Sequence, residues 1–231
     1  MKYFFYCFVL LFAISFTGCK KSGGKVTVKE TPPPFLFYSE VMRFKDQDEK
    51  NFPDSGGILF IGSSTIRYWS DLESAFPGKS IIRRGLGGSL LSDWVKYYLP
   101  YVVFPYHPAK IFIYAGDNDV VDGRTAGDVV ADFEKLWTLI HTQLPETKIY
   151  FISIKPSPSR MGYWAQYNSA NLVIKESIGR KPLSYFIDIT WVTFDPKTMQ
   201  PDPTLFQDDA VHLNTKGYMK WETVIKNYID N

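Results

Sequence analysis

From residue 35 onward, five short runs of large apolar residues recur along the chain, each closed by glycine, proline or a polar cluster. Ile58-Leu59-Phe60-Ile61 ends at Gly62. Ser80-Ile81-Ile82 leads to Gly85, Gly87 and Gly88. Ile111-Phe112-Ile113-Tyr114 ends at Gly116, Ile149 to Ile154 at Pro156, and Tyr185-Phe186-Ile187-Asp188-Ile189 comes last. Runs this short and nearly continuous in apolar character are the mark of strands buried on both faces. Between them, Gly127–Leu144 places Val130, Phe133, Leu136, Trp137 and Ile140 at helical spacing, with Pro145 just beyond. Tyr163–Ser177 and Lys216–Ile229 read the same way, and a further helix is expected through Trp69 and Leu72. Strands alternating with helices predict parallel crossovers and a three-layer α/β/α sandwich. In such a sheet ligands gather beyond the carboxyl ends of the strands.

The chain's start follows a different pattern. Lys2 precedes the uncharged, mostly apolar run Tyr3–Phe16, which is too short to span a bilayer, since spanning takes about 20 residues. A positive start, a short apolar core and small residues read as a secretory signal over residues 1–18. Phe16-Thr17-Gly18-Cys19 resembles a bacterial lipobox with Phe16 in the place usually held by Leu. Cleavage before Cys19 and acylation of its thiol are therefore expected, placing the protein in a bacterial envelope, periplasmic or surface-facing. Residues 19–34, polar and then Pro32-Pro33-Pro34, are read as a tether. Residues 35–231 form the single expected domain.

Composition narrows the chemistry. The only cysteines are Cys7 and Cys19, so the expected mature chain has no disulfide framework, no cysteine nucleophile and no cysteine metal site. The formal net charge is +2, with Lys and Arg scattered among Asp and Glu. No basic stripe points to nucleic acid.

Each polar cluster of interest follows a predicted strand. Gly62-Ser63-Ser64-Thr65 follows the first, putting Ser64 at the top of the sheet ahead of a helix amino terminus, where backbone N–H groups can hold an oxyanion. Near the other end of the chain, Asp209-Ala210-Val211-His212 sets a carboxylate three residues before an imidazole. That spacing lets Asp209 accept the Nδ1–H of His212 and leaves Nε2 free as a base. Of the three histidines, His107 falls in a proline-rich loop and His141 on a helix surface. Gly85-Leu86-Gly87-Gly88 offers an open backbone amide at Gly88, and Gly116-Asp117-Asn118-Asp119 offers the Asn118 amide. With the Ser64 N–H, these make a sensible oxyanion hole. A hard cation would want more oxygen ligands than the Asp117–Asp119 turn supplies, so neither a metal nor a cofactor is expected.

In order and spacing, Gly62-Ser63-Ser64, Gly85–Gly88, Gly116–Asp119 and Asp209–His212 resemble four of the conserved blocks of the SGNH (GDSL-type) hydrolase superfamily. The likeness covers roughly residues 56 to 228 and is greatest to the branch of platelet-activating-factor acetylhydrolase subunits and bacterial acyl-esterases. It implies a flavodoxin-like fold with a five-stranded parallel sheet. It also implies Ser64 as nucleophile, His212 as base, Asp209 as the acid orienting it, and Gly88 and Asn118 completing the oxyanion hole. Two positions depart from the pattern: Ser63 stands where the superfamily has Asp, and Arg83 where Asn often opens the second block. Gly-x-Ser-x-Gly is absent, which argues against an α/β-hydrolase elbow.

The expected activity is hydrolysis of short acyl esters, such as acetyl groups on a glycan or a small molecule, with Arg160 and Trp164 as candidate substrate contacts. An acyltransferase to a sugar hydroxyl, or a glycan-binding lipoprotein with a vestigial triad, remains open on the same residues. A flavodoxin-like cofactor binder would leave Asp209 and His212 unexplained.

Overall fold

The computed structural model describes residues 36–230; the signal segment, Cys19 and the tether lie outside them. All five apolar runs form strands: β1 (Ile58–Gly62), β2 (Ile81–Gly85), β3 (Lys110–Tyr114), β4 (Lys148–Ile152) and β5 (Ser184–Ile187). They pair in parallel in the order β2-β1-β3-β4-β5. The order reverses at β1, so the chain runs outward in opposite directions from β1 and opens a crevice at the strands' carboxyl ends.

Side-chain alternation within the strands divides the interior between two layers. Leu59, Ile61, Ile111, Ile113, Ile149 and Phe151 face one core. Phe60, Phe112, Tyr150 and Ile152 face the other. On that second face an aromatic ladder crosses the sheet. Phe60 stacks on Phe112 at 4.6 Å, Phe112 on Tyr150 at 4.5 Å, and Tyr150 on Tyr185 at 4.7 Å between ring centroids. These residues are register partners on adjacent strands, so the pairing that aligns the backbones also stacks the rings.

The first core is covered by α1 (Tyr38–Lys50) and by the run Leu91–Val102, which comprises α4 (Leu91–Asp93), a π-helical turn at Trp94–Tyr98 and α5 (Leu99–Val102). It is completed by α7 (Ala126–Gln143) and α8 (Trp164–Ile178). The second core lies under α2 (Ser64–Arg67), α3 (Leu72–Ala75) and α9 (Thr215–Ile229). A short helix α6 (Asp117–Val121) follows β3. After β5, the two-residue strands β6 (Phe194–Asp195) and β7 (Gln200–Pro201) pair antiparallel.

Several boundaries differ from the periodicity for identifiable reasons. The helix expected through Trp69 and Leu72 is two separate turns, α2 and α3, parted at Ser70 and Asp71, residues that favour turns. The fourth apolar run leaves the ladder at Ile152 because Asn171 supplies the next pairing. Its side chain accepts from Ile154 N–H at 2.8 Å and donates to Ile154 C=O at 2.9 Å, as a strand neighbour would. α1 escapes the apolar pattern because only Val41 and Phe44 of its residues are buried.

The aromatic ladder yields a stability prediction. Phe112, fully buried at its centre, loses stacking on both sides in Phe112→Ala. The expected loss is about 3–5 kcal/mol, read as a lower urea midpoint with an unchanged slope.

Candidate active site

Ser64 reaches the top of the sheet through a backbone contact that excludes any side chain at Gly62. An added Cβ there would lie 1.8 Å from the Tyr114 carbonyl oxygen, and its φ of 134° is one that favours glycine. Ser63 N–H then donates to that same carbonyl at 3.0 Å, and Leu86 N–H donates to Gly62 C=O at 2.8 Å. The end of β1 is thus held between β3 and the glycine loop after β2. Ser64 opens α2, and Tyr218 on α9 secures this single turn by donating to Thr65 C=O at 2.8 Å.

The segment Gln207–Asn214 brings the second half of the site. Gln207 N–H donates to His212 C=O at 2.8 Å, and Ala210 N–H to Gln207 C=O at 2.9 Å. Ala210 takes a left-handed φ of 56°. Asn214 caps α9 by accepting from Gly217 N–H at 3.1 Å, and it donates to Thr204 and Phe206 carbonyls at 2.9 Å each. The result is a closed loop projecting two side chains back over β1.

These segments, 148 residues apart, meet. Ser64 Oγ lies 2.7 Å from His212 Nε2, and His212 Nδ1 lies 2.5 Å from Asp209 Oδ2. The other Asp209 oxygen accepts from Val211 N–H and His212 N–H, both at 2.9 Å. With Nδ1–H donated to Asp209, Nε2 is left to accept the serine proton. Desolvation alone would raise the Asp209 carboxyl, but the hydrogen bonds from the His212 side chain and from the two amides outweigh it and hold it at about 2. The Tyr68 ring stands edge-on to the imidazole, 4.8 Å between centroids.

The residues expected in the oxyanion hole flank this group in the fold. Gly88 sits exposed on the loop after β2, at a left-handed φ of 86°, with open space where a side chain would project. Asn118, on α6, donates from Nδ2 to Ser89 C=O at 3.3 Å and accepts at Oδ1 from Arg160 Nη1 at 3.1 Å. The same Arg160 nitrogen reaches Asp117 Oδ2 at 3.1 Å. Arg160, read from sequence as a substrate contact, thus holds the Asn118 amide oxygen through this one nitrogen. Trp164, its companion in that reading, starts α8 and packs edge-on against Phe194. Of the other histidines, His107 lies in the loop before β3 and His141 stacks on Trp137.

Three contributors have no local sequence signal that singles them out. Asp119, fully buried, accepts from Leu91 N–H through both oxygens, at 3.1 and 3.2 Å, tying the loop after β2 to the loop after β3. Desolvation raises its carboxyl to about 7, against the opposing Leu91 hydrogen bond. Tyr68, by contrast, was within reach of sequence reasoning, since it lies four residues after Ser64. Lys155, just beyond β4, is buried at 1% exposure and donates from Nζ to Val211 C=O at 2.9 Å, between Asp209 and His212. Its ammonium lies over the Tyr114 and Phe206 rings, and no carboxylate among the described residues forms an ion pair with it. Ser159 on the same loop donates to Ala210 C=O from N at 3.2 Å and from Oγ at 3.0 Å. The loop after β4 thus supports the His212 loop from beneath. Among the described residues, no group of three His, Cys, Asp or Glu side chains is placed to hold a metal ion.

Comparison with known proteins now assigns the chain. Residues 62–220 match the model of the GDSL-like lipase/acylhydrolase family, and the chain belongs to that family. It is a hydrolase acting on ester bonds. Among solved structures, a Streptococcus pneumonia protein described as a platelet activating factor superposes with a TM-score of 0.74 at 20% identity, covering 84% of this chain and 92% of that one. A GDSL-like lipase from Bacteroides thetaiotaomicron gives 0.67 at 19% identity, covering 82% and 97%. A mutant of an acetylxylan esterase from Geobacillus stearothermophilus gives 0.62 at 15% identity, covering 78% and 96%. At these identities the likeness speaks for the shared fold. No curated protein matches the chain in sequence.

Lys155 yields a pH prediction. Desolvation is the largest influence on its ammonium and lowers its pKa to about 8; Asp117 and Asp209 act against that lowering and Arg160 adds to it. In the unfolded chain a lysine titrates near ~10.4. Between these values the unfolded chain holds a proton that the folded chain has released, so Lys155 makes stability rise with pH across this window. Urea unfolding at pH 7 and pH 10 is expected to show a wild-type gain on the order of 3 kcal/mol relative to Lys155→Met. An unchanged difference between the two proteins would contradict the assignment.

Proposed function

We propose that this protein is a serine esterase that removes short acyl groups, acetyl foremost, from glycans or small molecules by way of an acyl-enzyme on Ser64. The 2.7 Å contact between Ser64 Oγ and His212 Nε2, backed by the 2.5 Å contact to Asp209, carries the reading. His212 Nε2 takes the hydroxyl proton as Ser64 Oγ attacks the ester carbonyl carbon. The developing oxyanion is held by the Ser64 and Gly88 N–H groups and the Asn118 amide. The carbonyl–oxygen bond to the alcohol then breaks, and His212 returns the proton to the departing alcohol. Water, deprotonated by the same nitrogen, releases the acid from Ser64. Asp209, kept ionised by its hydrogen bonds, holds the imidazole tautomer and stabilises the imidazolium that forms twice in the cycle.

Preference for short acyl groups is supported by the surroundings of Ser64. The serine is half-buried and Gly88 exposed, so the acyl site is open to solvent at the strands' carboxyl ends. The neighbouring fold of an acetylxylan esterase points the same way.

The test is turnover of p-nitrophenyl acetate together with fluorophosphonate labelling. Ser64→Ala is expected to lose labelling and at least about 10⁴-fold in kcat, while Asn118→Ala retains labelling and loses about 10²–10³-fold. Full activity in Ser64→Ala would refute the nucleophile. An unlabelled wild-type protein would favour a binding lipoprotein, and acyl transfer to an added sugar in preference to water would favour a transferase.

The proposal includes attachment to a bacterial envelope through acylated Cys19, supported by Phe16-Thr17-Gly18-Cys19. In a bacterial host the wild type is expected in the membrane fraction and Cys19→Ala outside it. Equal partitioning of the two would remove the anchor.

A further inference from the structure

Next to the Ser64–His212 pair, between α1, α2 and the edge strand β2, lies a groove of about 270 Å³. Four guanidinium groups line it, from Arg43, Arg67, Arg83 and Arg84, with Tyr68 and Glu73 among the remaining walls. None of these takes part in the proposed acyl transfer.

The arginines differ in how fully they are engaged. Arg84 is nearly buried, with its side chain 8% exposed, and is saturated by Asp48 at 2.5 Å, Tyr106 at 2.7 Å and Arg83 C=O at 3.0 Å. It forms the floor. Arg83 uses Nε on Glu73 at 3.0 Å and Nη1 on Arg67 C=O at 2.8 Å. Arg67 uses Nη1 alone, on Glu40 at 3.1 Å. Arg43 is exposed, packs over the Phe44 ring, and has no carboxylate partner among the described residues. A guanidinium carries five N–H donors, so Arg43, Arg67 and Arg83 retain donors for a further acceptor. Against four guanidinium charges stand the carboxylates of Glu40, Asp48 and Glu73, which leaves the groove positive.

The groove also meets the reacting centre on a defined side. Tyr68 forms one wall and presents its ring to His212, while the Arg67 guanidinium lies 5.7 Å from that same ring. Arg67 also presses on the glycine loop: a Cβ at Gly87 would lie 2.5 Å from its Nη1. In the proposed cycle the alcohol must leave beside the imidazole, because His212 returns the proton to it. Tyr68 thus stands between the imidazole, where the alcohol leaves, and the groove.

We propose that this groove is a subsite for an anionic group, a carboxylate or a phosphate, carried on the alcohol part of the ester. Arg43 and Arg67 grip the anion by charge-assisted hydrogen bonds, with Arg83 behind them and the Tyr68 ring packed against the intervening carbon skeleton. The proposal rests on the esterase reading for the position of the alcohol, but binding in the groove does not require turnover.

Two measurements therefore test it separately. In the first, glucuronate, glucose 6-phosphate and neutral glucose are titrated into the Ser64→Ala protein at low salt. Both anions, or one of them, are expected to bind at least about tenfold more tightly than glucose, the strength of one to two charge-assisted hydrogen bonds. The preference is expected to shrink in 0.5 M salt and to fall to near unity when Arg43→Gln and Arg67→Gln are added. In the second, kcat/KM is compared for acetylated glucuronate, acetylated glucose 6-phosphate and acetylated glucose with the otherwise wild-type enzyme. The anionic substrates are expected to gain mainly in KM, and Arg43→Gln alone, at an exposed position where folding is not at stake, to remove part of that gain. Carboxylate and phosphate arms show which anion the groove prefers. Equal binding of anions and glucose, or a preference indifferent to both substitutions, overturns the subsite. Anion binding without turnover of any ester leaves the subsite standing and overturns the esterase reading instead.

Discussion

The approach of β1 to the Tyr114 carbonyl at Gly62 is the contact on which the site's geometry depends. With only 1.8 Å available for a Cβ, the strand end can lie against β3 only because the residue there has no side chain. From that point the chain turns, Ser63 takes the Tyr114 carbonyl, and Ser64 emerges as the first residue of a one-turn helix. The glycine loop after β2 is drawn to the same place by Leu86 N–H on Gly62 C=O. The Ser64 hydroxyl and the loops after β2 and β3 are thereby gathered by backbone contacts, before any side chain is considered.

A second set of contacts holds the imidazole in place, and they come from polar groups on one loop, of which Lys155 is fully buried. Lys155 supports the loop between Asp209 and His212, Ser159 supports Ala210, and Arg160 orients Asn118 while contacting Asp117. All three supporting residues lie on the loop after β4, so one segment supports both the His212 loop and the Asn118 side chain. Burying an ammonium with a single carbonyl acceptor opposes folding. The depressed pKa of Lys155 reflects that cost, and the aromatic ladder and two apolar cores offset it. The Ser63 hydroxyl is also buried, without a hydrogen-bond partner, and a carboxylate in its place would be a further buried charge.

Charge is distributed unevenly around the centre. In the groove beside Tyr68, four guanidinium groups stand against the carboxylates of Glu40, Asp48 and Glu73, whereas Asp117 and Asp119 are buried. Asp117 pairs with Arg160 and Asp119 lies 3.8 Å from Arg124. Such an arrangement favours negative charge in solvent-facing positions and confines it elsewhere to hydrogen-bonded pairs.

Local pattern determined the elements themselves. Five strands were legible because burial on both faces leaves no polar positions to confuse the reading, and α7 and α9 because one apolar stripe repeats at helical spacing. The Asp209–His212 pair was legible because its partners are three residues apart and share one turn. Other features answer to distance in space and left no periodic trace. α1 buries too few side chains to declare itself, and the π-helical turn at Trp94–Tyr98 follows from packing over the first core. Lys155 reads as an ordinary loop lysine until its ammonium is found on the Val211 carbonyl, and Arg160 reads as a candidate substrate contact with no sign in the sequence of its pairing to Asp117 and Asn118. The sequence could name Ser64 and His212 as candidates, because residue type and local spacing carry that chemistry. Only the tertiary structure decided that a hydroxyl and an imidazole 148 residues apart lie 2.7 Å from each other, because that distance is set by sheet order and by buried contacts far from either residue in the chain.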